Sequence, residues 1–347
     1  MKKSWQKIIV LVAITLFALG LVAGCGQSGE KAQSGDASKG EEAPKEKIVL
    51  RAVTPFNQNS PEHDGFWLFT EKVKEKLGDQ IEIKYLGAGD VIKAFDQFEM
   101  LGKGMFEIGH LPGNYAKNVL PVAETLHLSQ LSPMDEREKG VYEILRQEFE
   151  KKMNIIYLGK TAGPGYLYSL YTNFKVNTLE DFKGKTIRTS PVYVPLLKAL
   201  GAGAVSMPPG EIYSAMERKV VDGFGWPTLG IIDGGWAEVT KYRIDPGFYP
   251  VGMGVFINKD AWNKIPEDVR AQLEEIMKET EKEAYNFYEQ KVADETAKIK
   301  EKGMEVIQLP PDQAEKLLST AYEEGWKEMI QKEPELGQKL KDLTTPK

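Results

Sequence analysis

Cysteine is all but missing from this chain: one residue, Cys25, in 347. A single thiol closes no intrachain disulfide and supplies no cysteine-ligated zinc site, so the fold stands on its apolar core. Histidine is nearly as scarce, with His63, His110 and His127 set singly along the chain. No HExxH or GxSxG pattern accompanies them, and there is no P-loop or phosphate-binding glycine fingerprint. Hydrolases that carry such motifs are thereby excluded. An extracellular hydrolase of the two-carboxylate kind stays open as an alternative, although no acidic pair stands out by spacing. Basic charge is the minority sign, 45 residues against 51, for a formal −6. With no basic stripe interleaved with aromatics, nucleic acid is not an expected partner.

Long hydrophobic runs are also few. The first comes after Lys2, Lys3 and Lys7 and covers residues 8–24, which carry no charge. A basic stub, a short apolar core and small residues before a cut site make a secretory signal. An uncleaved anchor is the alternative, but 17 residues are at the short limit for a span, and the run ends in Gly24-Cys25-Gly26. Val22-Ala23-Gly24 before Cys25 resembles a bacterial lipoprotein box, in which the thiol is acylated and becomes the new N-terminus. The expectation is a signal peptide over 1–24 and a lipid anchor at Cys25, where two acyl chains suffice for stable attachment to the bilayer. Losing three lysines and no acid leaves 42 basic against 51 acidic residues, or −9. Residues 25–47, rich in Gly, Ser, Lys and Glu after the cysteine, read as a flexible tether.

The remainder of the chain, roughly 300 residues, is enough for two domains or one large α/β unit. Residues 48–53 read as a strand. Phe66, Phe69, Val73 and Leu77 have helical spacing within 62–77. Residues 80–86 alternate as a strand does, with a helix near 91–103 and a short strand at 106–110 after them. The middle repeats this grammar, with strands at 154–158, 166–172, 186–189 and 205–207, and helices near 192–200 and 209–218. Strands alternating with helices imply βαβ units. After the apolar segment 251–258, a helix over about 266–302 contains no Gly or interior Pro, and Val269, Leu273, Ile276, Met277, Ala284, Tyr288 and Val292 form one face. At about 1.5 Å per residue it exceeds the width of one small domain, so it is expected to lie along two. A last helix is expected over about 312–331.

The segment LEDFKGKTIRTSPVYVPLLKALGAGAVSMPPGEIYSAMERKVVDGFGW, residues 179–226, resembles the solute-binding proteins of TRAP transporters (tripartite ATP-independent periplasmic systems) of the DctP type. FDQFEMLGKGMFEIGHLPGNY upstream and DPGFYPVGMGVFINKDAWNKIP downstream resemble the same family, so the likeness covers roughly 48–330. It implies an α/β, two-lobe, periplasmic-binding-protein-like fold of the class II type, with a long helix spanning both lobes and a ligand cleft between them. The expected division is 48–165 with part of 254–300 for the first lobe, and 166–253 with 301–347 for the second.

By resemblance, Arg188 pairs a substrate carboxylate, a task for which a planar, permanently charged fork is suited. Trp226 falls where the family lines its cleft. In one branch an acid precedes that tryptophan and helps to hold a cation. Here the position is Gly225, so no metal site is expected, and whether the lost volume admits a larger ligand is left open. Tyr166, Tyr168, Phe56, Asn57, Tyr115 and Tyr249 occupy other stretches expected to face the cleft, while Asp222 and Gly223 are expected to close a turn. No cofactor and no catalysis are expected. The implied function is capture of a small organic acid by lobe closure and delivery to small and large membrane subunits. The chain would act as a monomer at the extracytoplasmic face, with uptake driven by an ion gradient. A receptor-feeding sensory protein and a binding protein of ATP-driven uptake are the alternatives.

Overall fold

Two mixed sheets carry the chain, and the strand order of one repeats in the other. The computed structural model describes residues 47–345, so the signal, Cys25 and the tether lie outside the described residues. The strands are β1 (Ile48–Val53), β2 (Ile81–Gly87), β3 (Ile108–Pro112), β4 (Ile155–Thr161), β5 (Tyr168–Thr172), β6 (Thr186–Thr189), β7 (Gly203–Ser206), β8 (Gly223–Pro227), β9 (Tyr242–Asp245), β10 (Met253–Asn258) and β11 (Glu305–Gln308). The first sheet runs β2-β1-β3-β10-β4 and the second β7-β6-β8-β5-β9-β11. In each, three parallel strands are followed by one antiparallel strand that arrives from the other lobe's side of the chain: β10 in the first, β5 in the second. The lobes are therefore interwoven by sequence, and the chain crosses between them at 162–167, 246–252 and 259–304.

Burial agrees with the sequence pattern. MGVFIN of β10 is buried throughout, as a central strand covered on both faces must be. The helix Asp64–Leu77 inserts Phe66, Phe69, Val73 and Leu77 against Leu50, Ile108 and Val255. The long helix is Glu267–Glu301, 35 residues or about 52 Å. Val269, Leu273, Ile276 and Met277 pack on the first sheet. Tyr288 stacks on Tyr166 at the crossing, and Ile299 joins Tyr171 and Phe224 in the second lobe.

Three expectations are revised. The strand read as 166–172 begins at Tyr168, because Tyr166 and Leu167 belong to the crossing. The helix read near 91–103 is a 3-10 turn, Ala94–Asp96, leading into a short helix, Gln97–Gly102, and Val91 is exposed. The C-terminal helix, Pro311–Lys332, is succeeded by another, Pro334–Thr344, that the sequence pattern did not reveal. Pro334 has no amide hydrogen to continue the first helix but suits the opening position of a second. Gln130 N donates to Thr344 O (3.3 Å) and Lys152 pairs with Glu333 (2.6 Å), so this end lies on first-lobe elements. The block 301–347 is thus divided: β11 completes the second sheet, and the terminal helix does not accompany it. No helix among the described residues is long and apolar enough to cross a membrane.

Candidate functional site

Parallel strands of both sheets end at one place. The chain leaving β1 supplies Phe56 and Glu62, the end of β3 supplies Pro112, Asn114 and Tyr115, and the approach to β10 supplies Val251 and Met253. The crossing supplies Tyr166, and from the second lobe come Tyr168, Ser190, Tyr193, Gly225, Trp226 and Pro227. Together they line a cleft that is partly open to solvent and has a cavity volume of about 20 Å³. Clefts outside the carboxyl ends of parallel strands are where α/β folds bind ligands, because loops there can vary while the sheet holds them in place.

Arg188, in the middle of β6, has no exposed surface. Its Nε and Nη2 donate to Met207 O at 2.9 and 2.6 Å, and Nη1 donates to Gly225 O at 3.1 Å. Its guanidinium carbon lies 5.6 Å from the Trp226 ring centroid. A guanidinium carries five N–H groups, so two are left over, and no acidic side chain among the described residues forms an ion pair with it. Burial pulls its pKa down to about 10, opposed by Tyr115, Tyr193 and Glu211, so it stays charged at neutral pH. Taking an unpaired charge out of water costs several kcal/mol. Arg188 is joined to the cavity wall through Gly225 and is not itself part of the lining.

Gly225 does not enlarge the pocket. A Cβ there would meet the Tyr193 ring at 2.6 Å, so that ring already occupies the space an acidic side chain would need. Tyr193 stands edge-on to Tyr168. Its hydroxyl has no partner among the described residues, and the same holds for the Tyr166 hydroxyl and Asn114 Oδ1. Buried polar atoms without partners are rare, and three of them line this one cavity. Asn114 Nδ2 donates to the Tyr168 hydroxyl (3.2 Å). Burial pushes the Tyr115 hydroxyl up to about 12, so it remains a neutral donor.

Trp226 crosses the cleft. Its Nε1 donates to Glu62 Oε1 (2.8 Å) and to Leu229 O (2.9 Å), and Phe56 packs on its ring at 5.3 Å. Lys117 Nζ donates to Pro191 O (3.1 Å), a further link between lobes.

Two expected residues stand elsewhere. Asn57 is exposed, in a loop that turns outward before the 3-10 turn Pro61–His63. Tyr249 is buried beneath the C-terminal helix, where its hydroxyl donates to Ala321 O. Asp222 closes its turn by accepting from Thr186 N (2.8 Å). Sequence reasoning missed Glu62, Asn114, Ser190 and Tyr193. Asn114 directly precedes Tyr115, and Ser190 and Tyr193 come shortly after Arg188 in the same segment, so adjacency was the available signal. Glu62 carried none.

The model of the DctP family, described as bacterial extracellular solute-binding protein, family 7, matches residues 53–333. A protein of Haemophilus influenzae is 29% identical over 229 residues, covering 63% of this chain and 69% of that one. Among solved structures, a TRAP periplasmic solute binding protein from Desulfovibrio salexigens with bound orotic acid superposes with a TM-score of 0.76 at 22% identity, over 86% of this chain and 97% of that one. DctP7 of Bordetella pertussis, an extracytoplasmic solute receptor binding pyroglutamic acid, gives 0.76 at 22% identity over 85% and 99%.

Proposed function

This chain belongs to the DctP family of bacterial extracellular solute-binding proteins, and on that footing we propose that it captures a small organic acid in the cavity between its lobes and delivers it to the small and large membrane subunits of a TRAP transporter. The observation that carries the ligand class is Arg188: a fully buried cation with unused N–H groups and no acidic partner, beside a cavity that both lobes build. A ligand carboxylate would supply the missing charge, and bidentate pairing would orient it. The Desulfovibrio and Bordetella neighbours hold orotic acid and pyroglutamic acid, and each ligand is an acid. Contacts made from both lobes favour the closed form, and only that differential affinity can shift an open–closed equilibrium. The role is binding without catalysis: His63 and His110 are buried and bonded to each other, with His63 pulled down to about 3 by burial, which suits neither for proton transfer near neutral pH. Acylated Cys25 and the tether would hold the receptor at the extracytoplasmic face.

Calorimetric titration of the full-length protein in detergent, with organic acids and their matched neutral amides, tests this. Acids should bind at least about tenfold more tightly than their amides. Arg188→Lys, which keeps the charge but loses the fork, should weaken acid binding by about tenfold or more while the protein still unfolds cooperatively. Binding of neutral solutes without acids would sink the assignment.

A further inference from the structure

The lining of the cavity holds an ionisable group opposite in sign to Arg188. Glu62 lies in the 3-10 turn Pro61–His63, has no exposed surface and lines the cavity. Its Oε1 accepts from Trp226 Nε1 (2.8 Å) and its Oε2 from Ser60 Oγ. Gly230, at φ +90°, leaves the room its carboxyl fills, since a Cβ there would collide with Oε1. One donor comes from each lobe, so the carboxylate takes its position when the lobes meet. Among the described residues it forms no ion pair. Two oxygens carry about four acceptor sites, and the bonds from Trp226, Ser60 and its own amide leave acceptor capacity free on a side chain with no exposed surface. Arg188, behind the cavity wall, and Glu62, in its lining, are thus ionisable groups of opposite sign, each held by hydrogen bonds and neither in an ion pair among the described residues.

We propose that Glu62 reads the ligand directly, accepting a hydrogen bond from an O–H, N–H or ammonium group that the ligand carries apart from its carboxylate. The proposal rests on the reading of Arg188 as the carboxylate partner. It names the ligand class as hydroxy, amido or amino acids. A plain monocarboxylic acid leaves the remaining acceptor capacity of Glu62 unmet, and a dicarboxylate sets a second negative charge against it.

The test is titration of the full-length protein at mildly alkaline pH with acids matched by skeleton. One set is propionate, lactate, alanine and malonate; another is cyclopentanecarboxylate, proline and pyroglutamate; a third is benzoate, salicylate, anthranilate and phthalate. The expected result is that the acids that bind are donor-bearing ones, and that Glu62→Gln weakens these by about tenfold while its preference over the plain acid and the diacid collapses. Glutamine can still accept from Trp226, so a group that only positions Trp226 would change all acids alike. Plain acids or diacids binding wild type as tightly as donor-bearing ones, or a uniform change in Glu62→Gln, overturns the role of Glu62 and leaves the carboxylate reading standing. Wild-type selectivity decides the matter even if the variant misfolds. Absence of binding by every acid, with Arg188→Lys indistinguishable from wild type, overturns both.

Discussion

Glu62 and Arg188 differ in what protons do to them. Burial lowers the Arg188 pKa only to about 10, so its charge is constant around neutrality. Burial raises the Glu62 carboxyl from 4.5 to about 7, with the bonds from Ser60 and Trp226 opposing and Glu295 adding to the rise. The folded state therefore prefers the protonated acid. That contribution to stability is fully present below the unfolded value of about 4.5 and is lost as pH rises to about 7, by about 3 kcal/mol at most. Glu62→Gln cannot titrate, so denaturant unfolding of the ligand-free proteins should show it gaining on wild type across that window. Glu124 and Glu281, also pushed up to about 7, are common to both proteins and cancel. A difference that stays flat with pH would refute the buried, uncompensated state of this carboxyl. At Gly225 the lesson is local: a residue expected to leave space sits under Tyr193, and only the neighbouring turn could show it.

At the scale of elements, the crossing 162–167 and the long helix are fitted to one another. A Cβ on Gly163 would lie 2.6 Å from Tyr288 Cβ and 2.9 Å from Tyr285 O, so the crossing passes the helix where only hydrogen fits. Tyr288 in turn stacks on Tyr166, which lines the cavity, with centroids 4.6 Å apart. Gly163→Ala should cost about 1–3 kcal/mol by overpacking and should also weaken ligand binding, because the displaced helix moves Tyr166. Gly210→Ala, where nothing lies within 4 Å, is the control and should stay within about 0.5 kcal/mol. Unfolding curves and titrations of both variants check this. A binding constant unchanged in Gly163→Ala would separate the helix from the site.

For the molecule as a whole, the strand exchange ties each lobe's sheet to chain arriving from the other. Lobe motion must therefore be absorbed in the crossings, since β5 and β10 cannot leave their sheets without breaking ladders on both sides. The lobes touch through Glu62–Trp226, Asn114–Tyr168 and Lys117–Pro191. These few polar contacts are of the kind that a two-state closure makes and breaks. Small-angle scattering should show the radius of gyration falling when a binding acid is added, and thermal stability should rise by about 2.7 kcal/mol at 100 times the dissociation constant. Stabilisation with no change of radius would mean that the free protein is already shut.

Much of this architecture was legible in the residues alone. The uninterrupted spacing from Val269 to Val292 specified the long helix, because a helical face is a property of one segment read at its own period. The segment around Arg188 specified the family. Periodicity could place Phe66 or Leu273 in a core, but it could not say which loop faces which. Asn57 and Tyr249 were expected at the cleft, and the structure turns one to solvent and buries the other under the last helices. Glu62 and Trp226 are 164 residues apart, and neither hydrophobic pattern nor motif connects them. Only the exchange of β5 and β10 between the sheets brings those loops together. The helices, the strands and the chemistry at Arg188 are local properties, written in the order of the residues. That Glu62 meets Trp226 in one cavity is not local, because it depends on the pairing of distant strands, and folding alone settles it.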